Sequence, residues 1–534
     1  MRGEIAASDP VVHGRDLPRG FDERCDVVVV GSGAGGMVIG TLLAESGRKV
    51  ILVEEGPYYR PDDYQRFRPA ESLRRLFREA GMSTALAVGQ TPLISLVMGR
   101  AVGGSSLLTG GVCFRIPGEV HHRWVNELGL DELGERDLLP SYDDVERRIQ
   151  VKEVPERMRS ESTRLFVEGA RSLGIPMSPI RRNTGDDCEG NGRCNFSCPA
   201  GAKRSVDVAY LPSALANGAR VVSDALVESI RIENGRAAGV EGRLLGGERG
   251  APSHRFRIRA PVVVAACGTI HTPLLLSASG LGRESPSLGR NITLHPGVRV
   301  VARFDREVKG WDGALQSVYS DHFARDGIKL VGVYSAVNVL AAGFPGVGPA
   351  FRRRARQLDR CAVFGAMIHD EGGGAVSPGP GREALLRYEM APLDLARLRR
   401  SITILTEVAM AAGAREVFTS VFGFPPITSM DQARAMERTP YDAKRIECMA
   451  FHPLGSARVA NDRRRGIVDQ SGESFELPGL FVADGSILPT SIGVNSQLPI
   501  MAMATRIGVR LGERFPRLRA RFEAAGDVLG RTTL

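Results

Sequence analysis

The residues best suited to chemistry in this chain lie in three short stretches. His452 stands in Met449-Ala450-Phe451-His452-Pro453-Leu454-Gly455-Ser456, and Asn495 in Gly493-Val494-Asn495. An imidazole exchanges protons near neutral pH, and a carboxamide can hold an oxygen through hydrogen bonds. Taken alone, a histidine among apolar residues is more often a satisfied core side chain. The third stretch places Cys188, Cys194 and Cys198 at C-x5-C-x3-C spacing among glycines. Three such thiols can bind a metal or an iron–sulfur cluster, or remain a reduced structural loop. Because a cluster usually wants four thiolates, the structural loop is the preferred reading.

Such side chains need a scaffold, and its clearest signal is the stretch 26–54. The apolar run Val27-Val28-Val29-Val30 leads into Gly31-Ser32-Gly33-Ala34-Gly35-Gly36, a helical pattern and a second apolar run ending at Glu54. Strand, glycine turn, helix and strand together form a dinucleotide-binding unit. Gly31 permits the sharp turn, Gly33 lets backbone N–H groups approach a pyrophosphate, and Gly36 lets the helix pack on the sheet. Ala34 and Gly35 complete the turn, and the helix N-terminus faces the phosphates. Glu54 is placed to accept hydrogen bonds from a ribose. The fingerprint alone does not separate FAD from NAD.

The 534 residues suffice for two or more domains with full cores. A hydrophobic fraction of 43% and a charged fraction of 25% are those of a soluble globular enzyme. The net charge of +9 is spread over short basic clusters such as Arg352-Arg353-Arg354, which lack interleaved aromatics. They read as solvated surface and not as a nucleic-acid interface, with peripheral contact to an anionic membrane as the minority reading. No signal peptide is visible, and eight cysteines in so long a chain point to a reducing, cytoplasmic setting. The uncharged stretch 80–99 is interrupted by Gln90 and Pro92, so it reads as buried loop and short helix, not a transmembrane segment.

Further along, Gly99-Arg100-Ala101-Val102-Gly103-Gly104-Ser105-Ser106-Leu107-Leu108-Thr109-Gly110-Gly111 is rich enough in glycine to press backbone against a flat ligand. Its woven apolar residues argue for burial, where irregular backbone needs polar partners. This segment resembles the first glycine-rich signature of the glucose–methanol–choline (GMC) flavoprotein oxidoreductases, with Thr109 where the family usually has Asn and Cys113 where it usually has an aromatic. The stretch 268–282 is similar to the family's second signature at every specified position, and 480–500 to its C-terminal strand, glycine turn and helix. The resemblance extends over roughly 22–512.

What the resemblance implies is an α/β fold: a Rossmann-like FAD-binding domain assembled from both ends of the chain, and a substrate domain on a mainly antiparallel sheet. The expected division is 1–21 as an irregular N-terminal arm, 22–290 as the first part of the FAD-binding domain with the cysteine loop at 185–205, 291–447 as the substrate domain, 448–515 as the second part of the FAD-binding domain, and 516–534 as a tail. Apolar alternation at 297–304 and 329–339, with a helical stretch at 394–412, fits a sheet-based substrate domain. The stretch 221–230 alternates like a strand.

The same resemblance favours FAD over NAD. It places Gly103, Gly104 and Ser105 against the flavin, the backbone of Val227 at the adenine, and Asp484 and Gly485 at the ribityl–pyrophosphate. It also gives His452 and Asn495 roles: His452 takes the hydroxyl proton of an alcohol, and Asn495 holds the oxygen so that the carbinol hydrogen points at flavin N5. His271 and His295 read as structural, and His369 could line the substrate side. The segments 198–203, 265–268 and 368–374 look most like the long-chain fatty alcohol oxidase branch. The substrate implied is an alcohol on an apolar molecule, oxidised to aldehyde or ketone, with 80–99 available to wall an apolar channel. Electrons would then pass to oxygen or to a redox partner. Two alternatives stand beside this: a sugar or polyol dehydrogenase sending electrons through an iron–sulfur cluster, and a non-catalytic flavin-binding protein.

Overall fold

The computed structural model describes residues 10–247, 250–283, 285–333, 340–341, 344, 346–380 and 383–530. Its cofactor half is organised by short, mostly apolar strands. Strands β1 (Val11–His13) and β2 (Val27–Val30), helix α1 (Ala34–Glu45), strands β3 (Val50–Val53), β4 (Arg220–Ser223), β5 (Val262–Ala265) and β6 (Leu480–Val482), and helix α2 (Gln497–Gly530) follow in that order. The six strands form one parallel sheet in the order β1-β4-β3-β2-β5-β6. Strands β2, β3 and β5 carry no polar side chain and are buried throughout, as parallel strands covered on both faces must be. Because β6 pairs with β5 and α2 packs on α1, where Gly508 meets Leu42 and Ile39, the two ends of the chain build one domain.

The glycine turn after β2 is locked by close approach. Gly31 lies at φ +95°, a conformation that suits glycine. A Cβ at Gly36 would stand 1.9 Å from the carbonyl oxygen of Gly31, and one at Gly35 only 1.6 Å from that of Ala483. The fingerprint is therefore packed against the strand that returns from the far end of the sequence.

Among the described residues the second large sheet has eleven strands, all but one on its main path, with Gly297–Arg303, Cys361–Ile368 and Ile328–Gly332 antiparallel at its centre. Every residue of Cys361–Ile368 is buried, under helices Pro392–Ala411 and Glu161–Ser172. Phe166 and Phe364 stack there with ring centroids 4.5 Å apart, a contact that adds to the area buried. A smaller sheet joins Ala225–Glu233, Arg236–Leu244, Arg255–Arg259 and Asp22–Arg24.

Several sequence expectations change. The segment 1–21, expected as an irregular arm, supplies β1 at the edge of the cofactor sheet, too short a strand to show alternation. Asp224, at φ +52°, divides the expected strand 221–230 between β4 and Ala225–Glu233, which lie in different sheets. The stretch 80–99 is a hairpin of Thr84–Val88 and Ile94–Leu96, with Met82, Leu86 and Leu93 exposed. Those strands pair with Ala384–Glu389 and Cys448–Ala450, so the substrate sheet draws strands from outside 291–447. Partners so distant leave no trace in local hydropathy. Helix α2 continues through the expected tail, because Phe515 and Leu518 keep its buried face beyond Gly512. Of the expected strand 329–339, residues 334–339 lie outside the described residues. Among the described residues no helix is long and apolar enough to cross a membrane.

Candidate active site

Between the two large sheets lies a cavity of about 730 Å³, within the range of ligand and cofactor pockets. Gly31, Gly33, Ala34, Gly35, Glu54 and Val227 line its fingerprint wall. Gly104 and Ser105 of the glycine-rich loop, together with Asp484 and Gly485, also line it, as do His452 and Asn495. Gly36 and Gly103 stand behind the lining. Gly36 is where α1 meets the turn, and the Gly103 N–H donates to Ser32 Oγ at 3.2 Å.

Ser32 is a link that sequence reasoning missed. Its hydroxyl and N–H both donate to one Glu54 oxygen, at 2.7 and 3.0 Å, while the Gly56 N–H donates to the other at 2.9 Å. A buried carboxylate without partners would be costly; burial still raises the pKa of Glu54 against these bonds. Asp484 is committed in the same way, accepting from Thr272 Oγ1 (2.5 Å), Gly268 N–H (2.9 Å) and Ser486 N–H (2.8 Å). It thereby ties the second signature to β6. At the N-terminus of α2, Gln497 faces the cavity with both amide atoms buried and unpartnered.

The cavity fits a dinucleotide. A Cβ on Gly33 would meet only Gly104 Cα, at 3.9 Å, so this backbone is open to the cavity. The buried, unpartnered amide of Gln497 is the other sign of a missing polar partner.

His452 follows the strand Cys448–Ala450 and is fixed from behind. Leu454 and Thr293 exchange backbone hydrogen bonds of 3.0 and 3.1 Å, and Thr269 Oγ1 donates to the Pro453 carbonyl at 2.5 Å. Asn495 stands in the turn before α2, and its Nδ2 donates to His452 Nε2 at 3.0 Å. That bond leaves the proton of the neutral ring on Nδ1, which is buried without a partner, as is Asn495 Oδ1. Burial pushes the His452 pKa down to about 3, helped by His295 and opposed by Asp370. The ring is therefore a free base at neutral pH.

The other histidines separate. His271 lines the cavity with Nε2 unpartnered, which its reading as structural did not foresee. His369 does not line it; its ring packs behind the turn, 3.0 Å from where a Cβ on Gly493 would be. His295 lines the cavity with its ring centre 5.6 Å from that of His452.

Cys188, Cys194 and Cys198 surround a second, small pocket and are free thiols. Among the described residues no group of three or more His, Cys, Asp or Glu side chains is placed to hold a metal ion. Two buried cations stand there instead, Lys203 in the loop and Arg182 in the strand Arg181–Asn183 just before it. Lys203 Nζ donates to the carbonyls of Leu107 (2.6 Å), Thr109 (3.1 Å) and Cys194 (2.7 Å), and burial lowers its pKa to about 8. Arg182 donates from Nε to the Gly110 carbonyl (2.8 Å) and from Nη2 to Cys194 Sγ (2.9 Å). Both cations brace the glycine-rich loop 103–111 from behind. The partners of Arg182 and Lys203 in the glycine-rich loop lie about 70 to 100 residues away in sequence, so nothing local signals such a brace.

Comparison with known proteins agrees with this geometry. The GMC oxidoreductase family matches through its N-terminal model at residues 26–297 and its C-terminal model at 382–504. An uncharacterised GMC-type oxidoreductase of Mycobacterium tuberculosis is 38% identical over 490 residues, spanning 91% of this chain and 75% of the relative. A long-chain-alcohol oxidase of Arabidopsis thaliana is 30% identical over 524 residues, spanning 91% of this chain and 67% of the relative. The fold matches a formate oxidase of Aspergillus oryzae with a TM-score of 0.72 at 17% identity, covering 94% of this chain and all of that one. The chain therefore belongs to the GMC oxidoreductase family and is an FAD-dependent oxidoreductase.

Proposed function

We propose that the protein oxidises the hydroxyl of a long-chain or otherwise apolar alcohol to an aldehyde or ketone. The observation that carries this reading is the His452–Asn495 pair, 3.0 Å apart in a cavity that also holds the dinucleotide fingerprint. Bound FAD supplies the hydride acceptor. The chain's own part is to hold the cofactor, orient the alcohol and take its proton. The turn from Gly31 through Gly36, with the N-terminus of α1, would hold the pyrophosphate. Glu54 would take the ribose and the Val227 backbone the adenine. Gly103, Gly104 and Ser105, with Asp484 and Gly485, would seat the flavin and its ribityl chain.

The Nε2 lone pair of His452 accepts from Asn495 Nδ2 in this structure; with an alcohol between the two side chains, the same lone pair can accept the hydroxyl proton while Asn495 donates to the alcohol oxygen. An imidazolium is costly in this buried place, so the ring gains its proton only as negative charge develops on the oxygen beside it. Asp370 favours the protonated ring. The apolar chain is supported by walls of Val298, Val331, Val333, Met367, Met449 and Phe451. Of the stretch 80–99, only Val97, Met98 and Gly99 reach the cavity. Similarity to a long-chain-alcohol oxidase supports the same substrate class.

Anaerobic titration with primary alcohols of increasing length, a sterol and a sugar, following the flavin spectrum, tests the reading. Bleaching that strengthens with alkyl length is expected. Bleaching by the sugar alone would overturn it.

A further inference from the structure

His295 is almost fully buried, and its backbone sits at φ +49°, in the left-handed region that few residues other than glycine occupy. Its Nε2 accepts from the N–H groups of Ile492 and Gly493, both at 3.1 Å. Those two amides belong to the turn that presents Asn495. To accept both, Nε2 must be deprotonated, which puts the proton of the neutral ring on Nδ1. Burial pushes the pKa of this ring down to about 3 and so keeps that form at neutral pH.

Asp370 holds the same junction from the other side. Its buried carboxylate accepts from the N–H groups of Leu294 (2.8 Å) and His295 (3.2 Å), from the Tyr388 hydroxyl (2.5 Å) and from the Ser491 hydroxyl (2.9 Å). One carboxylate thus fixes both the backbone of His295 and the start of the segment that His295 grips. A histidine serving only to fill space needs neither the strained backbone nor two amides of a remote segment.

We infer that His295 is a positioning residue: its Nε2, anchored through Asp370, sets the 492–493 turn so that the Asn495 carboxamide meets His452. This rests on the proposed alcohol oxidation, because the reaction needs that pair aligned. A small misplacement of an orienting group costs rate more than binding.

The test uses the full-length flavoprotein and anaerobic flavin reduction by 1-dodecanol, measuring limiting rate and apparent Kd separately. His295→Gly relieves the backbone strain but removes the acceptor. It should retain FAD and slow reduction by about 10- to 100-fold with little change in Kd. His295→Gln, whose carboxamide oxygen can take the place of Nε2, should recover most of the rate. Asn495→Ala should be slow, and His295→Gly with Asn495→Ala should be no slower than Asn495→Ala alone, to within about threefold, because the two act on one element.

A wild-type rate in His295→Gly beside a slow Asn495→Ala would overturn the inference and leave the function standing. Multiplying losses in the double variant would overturn it too. An unchanged rate in Asn495→Ala would overturn the reading of the site itself. If His295→Gly does not retain FAD, His295→Asn carries the test: asparagine tolerates the left-handed backbone, its carboxamide is too short for both amides, and the same slow phase is expected. A wild-type rate there would overturn the inference.

Discussion

On the fingerprint wall of the cavity the decisive contacts run from backbone to backbone, whereas on the His452 wall they run through side chains. Gly35 and Gly36 admit no Cβ, because the carbonyls of Ala483 and Gly31 occupy the space. His452, Asn495, His295 and Asp370 come from four separated segments and meet through hydrogen bonds. The first wall is therefore inseparable from the fold. The second can be altered while the fold persists, so binding of the cofactor and chemistry on the alcohol should come apart by mutation.

The largest effect is expected on the backbone wall. Gly35→Val forces a Cβ to within 1.6 Å of the Ala483 oxygen, and a loss above about 4 kcal/mol is expected. The variant should purify without flavin absorbance, or not fold; an intact yellow protein would break the contrast between the walls.

The brace behind the glycine-rich loop comes next. Lys203→Met strips three carbonyls of their donor and should cost about 3–5 kcal/mol in urea unfolding, as breaking buried charged networks does. Loss of FAD at the same time would sharpen the link between the cysteine loop and the cofactor.

A third expectation is a pH effect from His295. Its folded pKa of about 3 lies below the ordinary 6.5, so the unfolded chain takes up the proton first. The stability tied to the neutral ring is complete above pH 6.5 and falls as the pH drops toward 3. The slope from this one residue is about 1.4 kcal/mol per pH unit. Denaturant midpoints between pH 7 and pH 5 should drop more for the wild type than for His295→Gln.

The smallest effect is expected at Cys194. Cys194→Ser keeps a partner for Arg182 and should change stability by about 1 kcal/mol or less, with iron absent from wild type and variant alike by metal analysis. Stoichiometric iron lost on this substitution would restore the cluster reading.

The same contrast explains what could be read from the sequence. The turn Gly31–Gly36, the apolar strands and the pair of glycine-rich segments are contiguous, so their physics is local. His452 and Asn495 were legible through their flanking motifs, although no local pattern shows that they meet. Ser32, Arg182, Lys203 and Asp370 were not singled out, because each acquires its task from partners far away in sequence. The partners of His295, read from the sequence as structural, were hidden for the same reason: its two amide donors reach it only once residues 292–295 and 491–495 are side by side. The three-residue strand β1 and the hairpin at 84–96 were missed because their sheets are completed by remote strands.

The central claim is that the His452–Asn495 pair performs the proton step of alcohol oxidation. Anaerobic reduction of the flavin by 1-dodecanol in His452→Ala, compared with the wild type at equal FAD content, tests it most directly. The account predicts a limiting rate lower by about 10²- to 10⁴-fold, as loss of a general base gives, with the flavin still bound. Reduction at the wild-type rate would contradict it.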